Sequence, residues 1–144
     1  MDEKTTGQLL DVLHNTHSPE ELQEYCQQHT RQGEQLSFAE EFSKLLGKYQ
    51  ISKADVIRKS MLDRTYAYQV IGGLRMPGRD KVLALGLAVG ASEKEIGRLL
   101  SCAMAGRLYP RVSRDAILIY CIHYHYDILQ TNEMLEDAGE KLLF

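Results

Sequence analysis

A chain of 144 residues, 44% hydrophobic and 26% charged, is long enough to bury an ordinary apolar core without disulfide or metal staples. Its formal net charge of −3 excludes a protein that coats nucleic acid indiscriminately. Cys26, Cys102 and Cys121 show no CxxC spacing and read as thiols in a reducing compartment rather than as a disulfide framework.

The opening MDEKTTGQ is acidic and polar where a signal peptide would be basic and then apolar. The longest apolar stretch, Val82 to Ala91, is too short to span a bilayer. A soluble, cytoplasmic protein with no membrane partner is expected. The modest net charge conceals a polarity along the chain. Met1 to Ser43 carries 2 bases and 9 acids, and Lys44 to Lys81 carries 9 bases and 3 acids. The next stretch, to Tyr126, has 5 bases and 3 acids, and the last, from Asp127, has 1 and 5. Short helices with solvated charged faces vary by chance, but a block of this size also fits an anionic partner.

Thr5 or Thr6 can cap a first helix that carries Leu9, Leu10 and Leu13. Ser18-Pro19-Glu20-Glu21 is a stronger start signal, with Ser as N-cap, Pro in the first turn and Glu21 able to close a capping box. The second helix is expected to run to about Arg31, with Leu22, Tyr25, Cys26 and His29 on one face. Gln32-Gly33-Glu34 then breaks the pattern, and residues 1–36 read as a helical extension that must dock on the rest.

Ser37 caps a helix from Phe38 to about Tyr49 whose core face is Phe38, Phe42, Leu45 and Leu46. From Val56 to Pro77 the chain reads as two short helices joined by a tight turn and stopped by Gly72-Gly73. Asp63 is a good N-cap for the second, accepting from the N–H groups of Thr65 and Tyr66. Ala67, Val70 and Ile71 form its apolar stripe, which leaves Arg64, Thr65, Tyr68 and Gln69 facing outward. Further helices follow through DKVLALGLAVG and, from a cap at Ser92, SEKEI; the unit is expected to span 37–105.

Residues 106–144 form a C-terminal extension. Gly106 to Arg111 is a loop, because Pro110 biases Tyr109 away from helix. The following helix, DAILIYCIHYHY, is apolar on nearly every side, which suits a central element. Asp127 caps a last helix that Gly139 ends. Leu142, Leu143 and Phe144 form an apolar tail expected to fold back into a groove. No strand signal competes, so the fold class is all-α with seven to nine helices.

The residues Ser52-Lys53-Ala54-Asp55-Val56 followed by Arg58-Lys59-Ser60, then Asp63-Arg64-Thr65-Tyr66, Gly73 and Pro77, resemble the helix-turn-helix of the XRE family of phage-repressor and Cro-like DNA-binding domains. The resemblance covers about residues 38–100. It implies a five-helix unit with Asp63 to Ile71 as recognition helix, and Arg64, Thr65, Tyr68 and Gln69 as the base-facing side chains. Lys53, Arg75 and Arg79 are implied as phosphate contacts. The chain departs from the family at Met61, where a turn glycine is usual. Leu46 and Ile71 stand where the family commonly has a charged pair, so the two are expected to be buried against each other.

Metal and catalytic chemistry find little support. Cys121, His123 and His125 lie two residues apart on a helix and point to different sides, so they cannot converge on one ion. The pairs Cys26/His29 and His14/His17 have i, i+3 spacing but no third ligand. GxSxG, P-loop, HExxH and GxGxxG patterns are all lacking, so no enzyme activity and no cofactor are expected. Two functions remain. The first is a sequence-specific transcriptional regulator on double-stranded DNA, acting as a homodimer because one short helix reads too few base pairs. The second is an adaptor that keeps the scaffold, has lost DNA binding, and holds a protein partner through Tyr66, Tyr68, Leu74 and Met76.

Overall fold

The computed structural model describes residues 5–29 and 37–144. Among them are nine helices and no strand. The helices are α1 (Thr6–His14), α2 (Pro19–His29), α3 (Phe38–Lys48), α4 (Lys53–Ser60), α5 (Arg64–Ile71), α6 (Arg79–Val89), α7 (Glu93–Cys102), α8 (Ser113–His123) and α9 (Ile128–Asp137). No helix among the described residues is long and apolar enough to cross a membrane. The chain divides into two compact units, Met1–Gln35 and Leu36–Phe144, so the expected 37–105 and 106–144 segments share one unit.

In the first unit the caps settle the local structure. Thr5 forms a reciprocal capping box with Gln8, while Ser18 Oγ accepts from Glu21 N and the Glu21 carboxylate accepts instead from His17 N. No residue of α1 is buried, and Leu22 of α2 is exposed. The end of α2 near Arg31 and the break at Gln32-Gly33-Glu34 lie outside the described residues.

The second unit is built round α6. Val82 to Leu87 and Val89 are all buried, so this helix is enclosed on every side and packs against α4, α7 and α9. The centre was expected in α8, which instead keeps an open side: Leu118, Cys121 and Ile122 of α8 are buried, but Ala116, Tyr120 and His123 are exposed. The difference arises because five of the last seven residues of the apolar-looking segment are Tyr or His, which carry a polar end that needs water or a partner. Close approach of α6 to α7 depends on Gly86, where a Cβ would meet Ile96 Cγ1 at 2.7 Å.

Two crossed ion pairs fix the start of α6 to the start of α8. Arg79 donates to both carboxylate oxygens of Asp115, at 3.0 and 2.7 Å, and Arg114 donates to Asp80 at 3.0 Å. Each arginine also holds a loop by its carbonyls, Arg79 those of Gly106 and Arg107, and Arg114 those of Lys141 and Leu142. The C-terminal tail is folded back as expected: Leu143 is buried and its N–H donates to Asn132 Oδ1 at 2.9 Å.

A third polar anchor joins α3 to α7. Glu95 closes the capping box with Ser92 and also accepts from Lys48 Nζ at 2.6 Å and from the Tyr49 hydroxyl. Burial pushes this carboxyl up, but Lys48, the Ser92 N–H and the Tyr49 hydroxyl outweigh it and hold its pKa at about 2.

Two outcomes follow. Gly86→Ala should lower stability by about 1–3 kcal/mol in urea denaturation, because Ile96 is fully buried and has no room to give. Since the folded pKa of Glu95 lies below its unfolded value, its contribution is complete above about pH 4.5 and disappears as pH falls through about 2. Glu95→Gln should therefore cost about 2 kcal/mol at pH 7, a figure reduced because Lys48 is largely exposed. The gap between variant and parent should close towards pH 2, and a constant gap would exclude an ionic contribution.

Candidate nucleic-acid interface

The α4–turn–α5 segment begins with Ser52, whose Oγ accepts from Asp55 N at 3.1 Å and caps α4. Val56, Ile57 and Ser60 face the core; the Ser60 hydroxyl donates to Ile57 O at 2.7 Å and accepts from Leu62 N at 3.2 Å. The turn residue Met61 adopts φ 60° and ψ 16°, the left-handed conformation for which a glycine is usual. A side chain at this position thus leaves the turn intact. Asp63 Oδ2 then accepts from Tyr66 N at 2.9 Å and starts α5; of the two N–H groups expected, Tyr66 is the one it holds.

Along α5 the buried stripe is the expected one, with Ala67 and Val70 fully buried and Ile71 3% exposed. Arg64, Thr65 and Tyr68 are exposed, while Gln69, expected to be equally open, is half-buried. The Arg64 guanidinium lies 5.8 Å from the Tyr68 ring centre, and that of Arg75 lies 5.7 Å from the Tyr66 ring. Both contacts preorganise a cation by stacking, yet leave its hydrogen-bond donors available to a ligand. Lys53 and Arg75 are exposed, and none of the ion pairs among the described residues involves Lys53, Arg64 or Arg75. The nearest acids in sequence are occupied, Asp55 with Arg58 at 3.1 Å and Asp63 as the cap. A furrow of about 590 Å³ runs between α4 and α5, walled by Ile57, Met61, Leu62, Arg64 and Tyr68.

Arg79 does not belong to this face. Expected at a phosphate, it is only partly exposed and spends its guanidinium on Asp115, Gly106 and Arg107. Burial pushes the Asp115 carboxyl up, but Arg79 and the Tyr109 N–H outweigh it and hold it below the usual carboxylate range. In sequence, a basic residue shortly after the Gly-Gly stop has the pattern of a surface cation. Its partner stands 36 residues further on, and no local pattern reveals it.

Leu46 and Ile71 are both buried, in one core cluster, on the packed helices α3 and α5. Among the described residues no group of three or more His, Cys, Asp or Glu is placed to hold a metal ion. The chain matches no protein-family model, no curated protein and no solved structure.

The two arginines should behave differently. Arg79→Gln leaves Asp115 buried without its cation and should cost about 3 kcal/mol in thermal or urea unfolding. Arg75→Gln, at an exposed site, should stay within about 0.5 kcal/mol of the parent.

Proposed function

We propose that the chain is a sequence-specific, double-stranded-DNA-binding transcriptional regulator of the cytoplasm, with α3 to α7 as an XRE-like five-helix unit, α5 as its recognition helix and no catalytic role. The observation that carries this reading is the division of α5. Arg64, Thr65 and Tyr68 stand in solvent while Ala67, Val70 and Ile71 of the same eight-residue helix are buried. An Arg can pair with guanine O6 and N7 and a Gln with adenine N6 and N7, so Arg64 and Gln69 suit base edges in a major groove. Lys53 and Arg75, outside every ion pair among the described residues, suit phosphates on either side. One helix of this length reads only a few base pairs. Operator-level specificity then takes two copies, with their α5 helices about 34 Å apart across a two-fold axis.

A second reading, an adaptor on the same scaffold, has its own support. Leu74 is 81% and Met76 59% exposed just after α5, and apolar side chains so placed suit a protein partner better than a phosphate backbone.

Titration of the protein with duplex DNA at several salt concentrations separates the two. On the DNA reading, log K falls linearly with log salt, by about 0.9 for each phosphate neutralised. Lys53→Gln should weaken binding to all sequences alike and reduce that slope by about 1, whereas Arg64→Ala should cost about 1–3 kcal/mol and relax preference at one base pair. Failure to bind any duplex at low salt overturns the regulator reading and leaves the adaptor.

A further inference from the structure

One face of α8 meets solvent with apolar and aromatic side chains. Leu118, Cys121 and Ile122 turn inward, and on the opposite side Val112, Ala116, Tyr120 and Tyr124 follow one another at four-residue intervals, all exposed. Val112 is 48%, Tyr120 44% and Tyr124 57% exposed. Val112 stands at the N-cap, where Ser, Thr, Asp or Asn would hydrogen-bond to the first turn, and its side chain gives the helix no such cap. The rings are ordered against one another. Tyr120 lies 4.6 Å from Tyr124 and 5.7 Å from Tyr126, centre to centre, and His123 stands edge-on to Tyr124 at 4.8 Å. An aromatic cluster formed in advance loses little freedom when a partner covers it.

The spacing of this stripe is complementary to itself. A second α8, turned end for end about position 118, sets Val112 against Tyr124 and Ala116 against Tyr120, because the members of each pair lie equally far from 118 on either side. A large side chain then meets a small one at both levels. Charge follows the same two-fold. At the start of α8, Arg107 and Arg111 are exposed and outside every ion pair among the described residues, while Arg114 and Asp115 are each matched on α6. At its other end Glu93 lies 3.9 Å from His123, and Asp127 follows as the charged cap of α9, with Lys94 the base beside Glu93 in sequence. Two cations at one end thus meet a net negative charge at the other, twice in each pair. The two helix dipoles also oppose each other, whereas a parallel pairing would set Arg111 against Arg111. The two tyrosines offer roughly 200 Å² of ring surface per copy. With Val112, Ala116 and the charged flanks the contact stays under the ~1,200–2,000 Å² of a standard interface, which makes the dimer reversible.

We propose that the open face of α8 docks a second copy of this chain through its own α8, antiparallel, with Tyr120 over Ala116 and Arg111 at Glu93 of the other copy. The face lies outside α4 and α5, so it joins two copies whatever α5 contacts. On the DNA reading it is where the two copies meet.

The test is sedimentation equilibrium of the full chain without DNA, from micromolar to near-millimolar concentration. A reversible monomer–dimer equilibrium is expected. Ala116→Glu, an exposed change to another good helix former, should leave the urea midpoint in place and weaken the dimer about tenfold or more by setting a carboxylate against the ring of Tyr120. Arg111→Glu and Glu93→Arg should each weaken it several-fold by opposing like charges, and the double variant should return to within about twofold of the parent. That recovery is specific to the antiparallel register, and no loss of folding produces it. A chain that stays monomeric throughout, a dimer indifferent to Ala116→Glu, or a double variant no tighter than the single ones would each overturn the proposal. Duplex binding is read separately: a dimer that behaves as stated but binds no duplex sinks the regulator reading and leaves the α8 contact in place.

Discussion

The second unit depends on the burial of α6 from Val82 to Leu87. A helix whose middle has no face to water has to be positioned from its ends, and its N-terminus is held by the crossed pairs Arg79–Asp115 and Arg114–Asp80. Neighbouring residues on each helix carry opposite charges, Arg79 beside Asp80 and Arg114 beside Asp115. A shift of one helix along the other would bring like charges together. The same two guanidiniums bind the carbonyls at 106–107 and 141–142, so the loop before α8 and the C-terminal tail are tied to the point that places α6.

What the sequence reveals of this fold is what depends on nearest neighbours. Ser37, Asp63, Ser92 and Asp127 each cap the helix they were expected to start, because a cap is an interaction across three residues. The apolar stripes of α3 and α5 are likewise where the 3.6-residue period puts them. The choice between α6 and α8 as the centre was not legible in this way. Both segments are apolar on most sides, and what separates them is that Leu and Val bury completely while Tyr120, His123 and Tyr124 do not. Arg79 was misread for a related reason, since its partner is remote in sequence.

Helix endings carry a different lesson. Gly73, Gly90 and Gly139 end α5, α6 and α9 in the left-handed conformation, and sequence rules locate such stops well. Gln50, Met61, Met104 and His125 do the same work at α3, α4, α7 and α8 with residues that no rule would select. At three of these helices the turn carries the same pattern of N–H groups returning to carbonyls three and five residues back, as in Gln50 to Gly47 and Ile51 to Leu46. The geometry of the ending is therefore imposed by those hydrogen bonds, and the residue in it is tolerated. Recovery of that information from sequence would need the fold first.

The candidate interface was legible to the extent that it is local. Alternation of exposed and buried residues along α5 follows from the period of one helix, and the cation-rich stretch that contains it is visible by counting. Which cations remain available is in part a tertiary matter: Arg79 is consumed by Asp115 and Lys48 by Glu95, both remote in sequence, while Arg58 pairs locally with Asp55, and Arg64 and Arg75 rest on tyrosine rings. The sum of charges in the basic stretch thus overstates what it can offer an anion. A stacked guanidinium keeps its donors but gives up conformational freedom, so it loses less on binding than a free one. On the proposed reading, the tyrosines of α5 then hold two arginines ready, which gives a physical role to aromatic residues at positions where smaller polar ones would suffice for solubility.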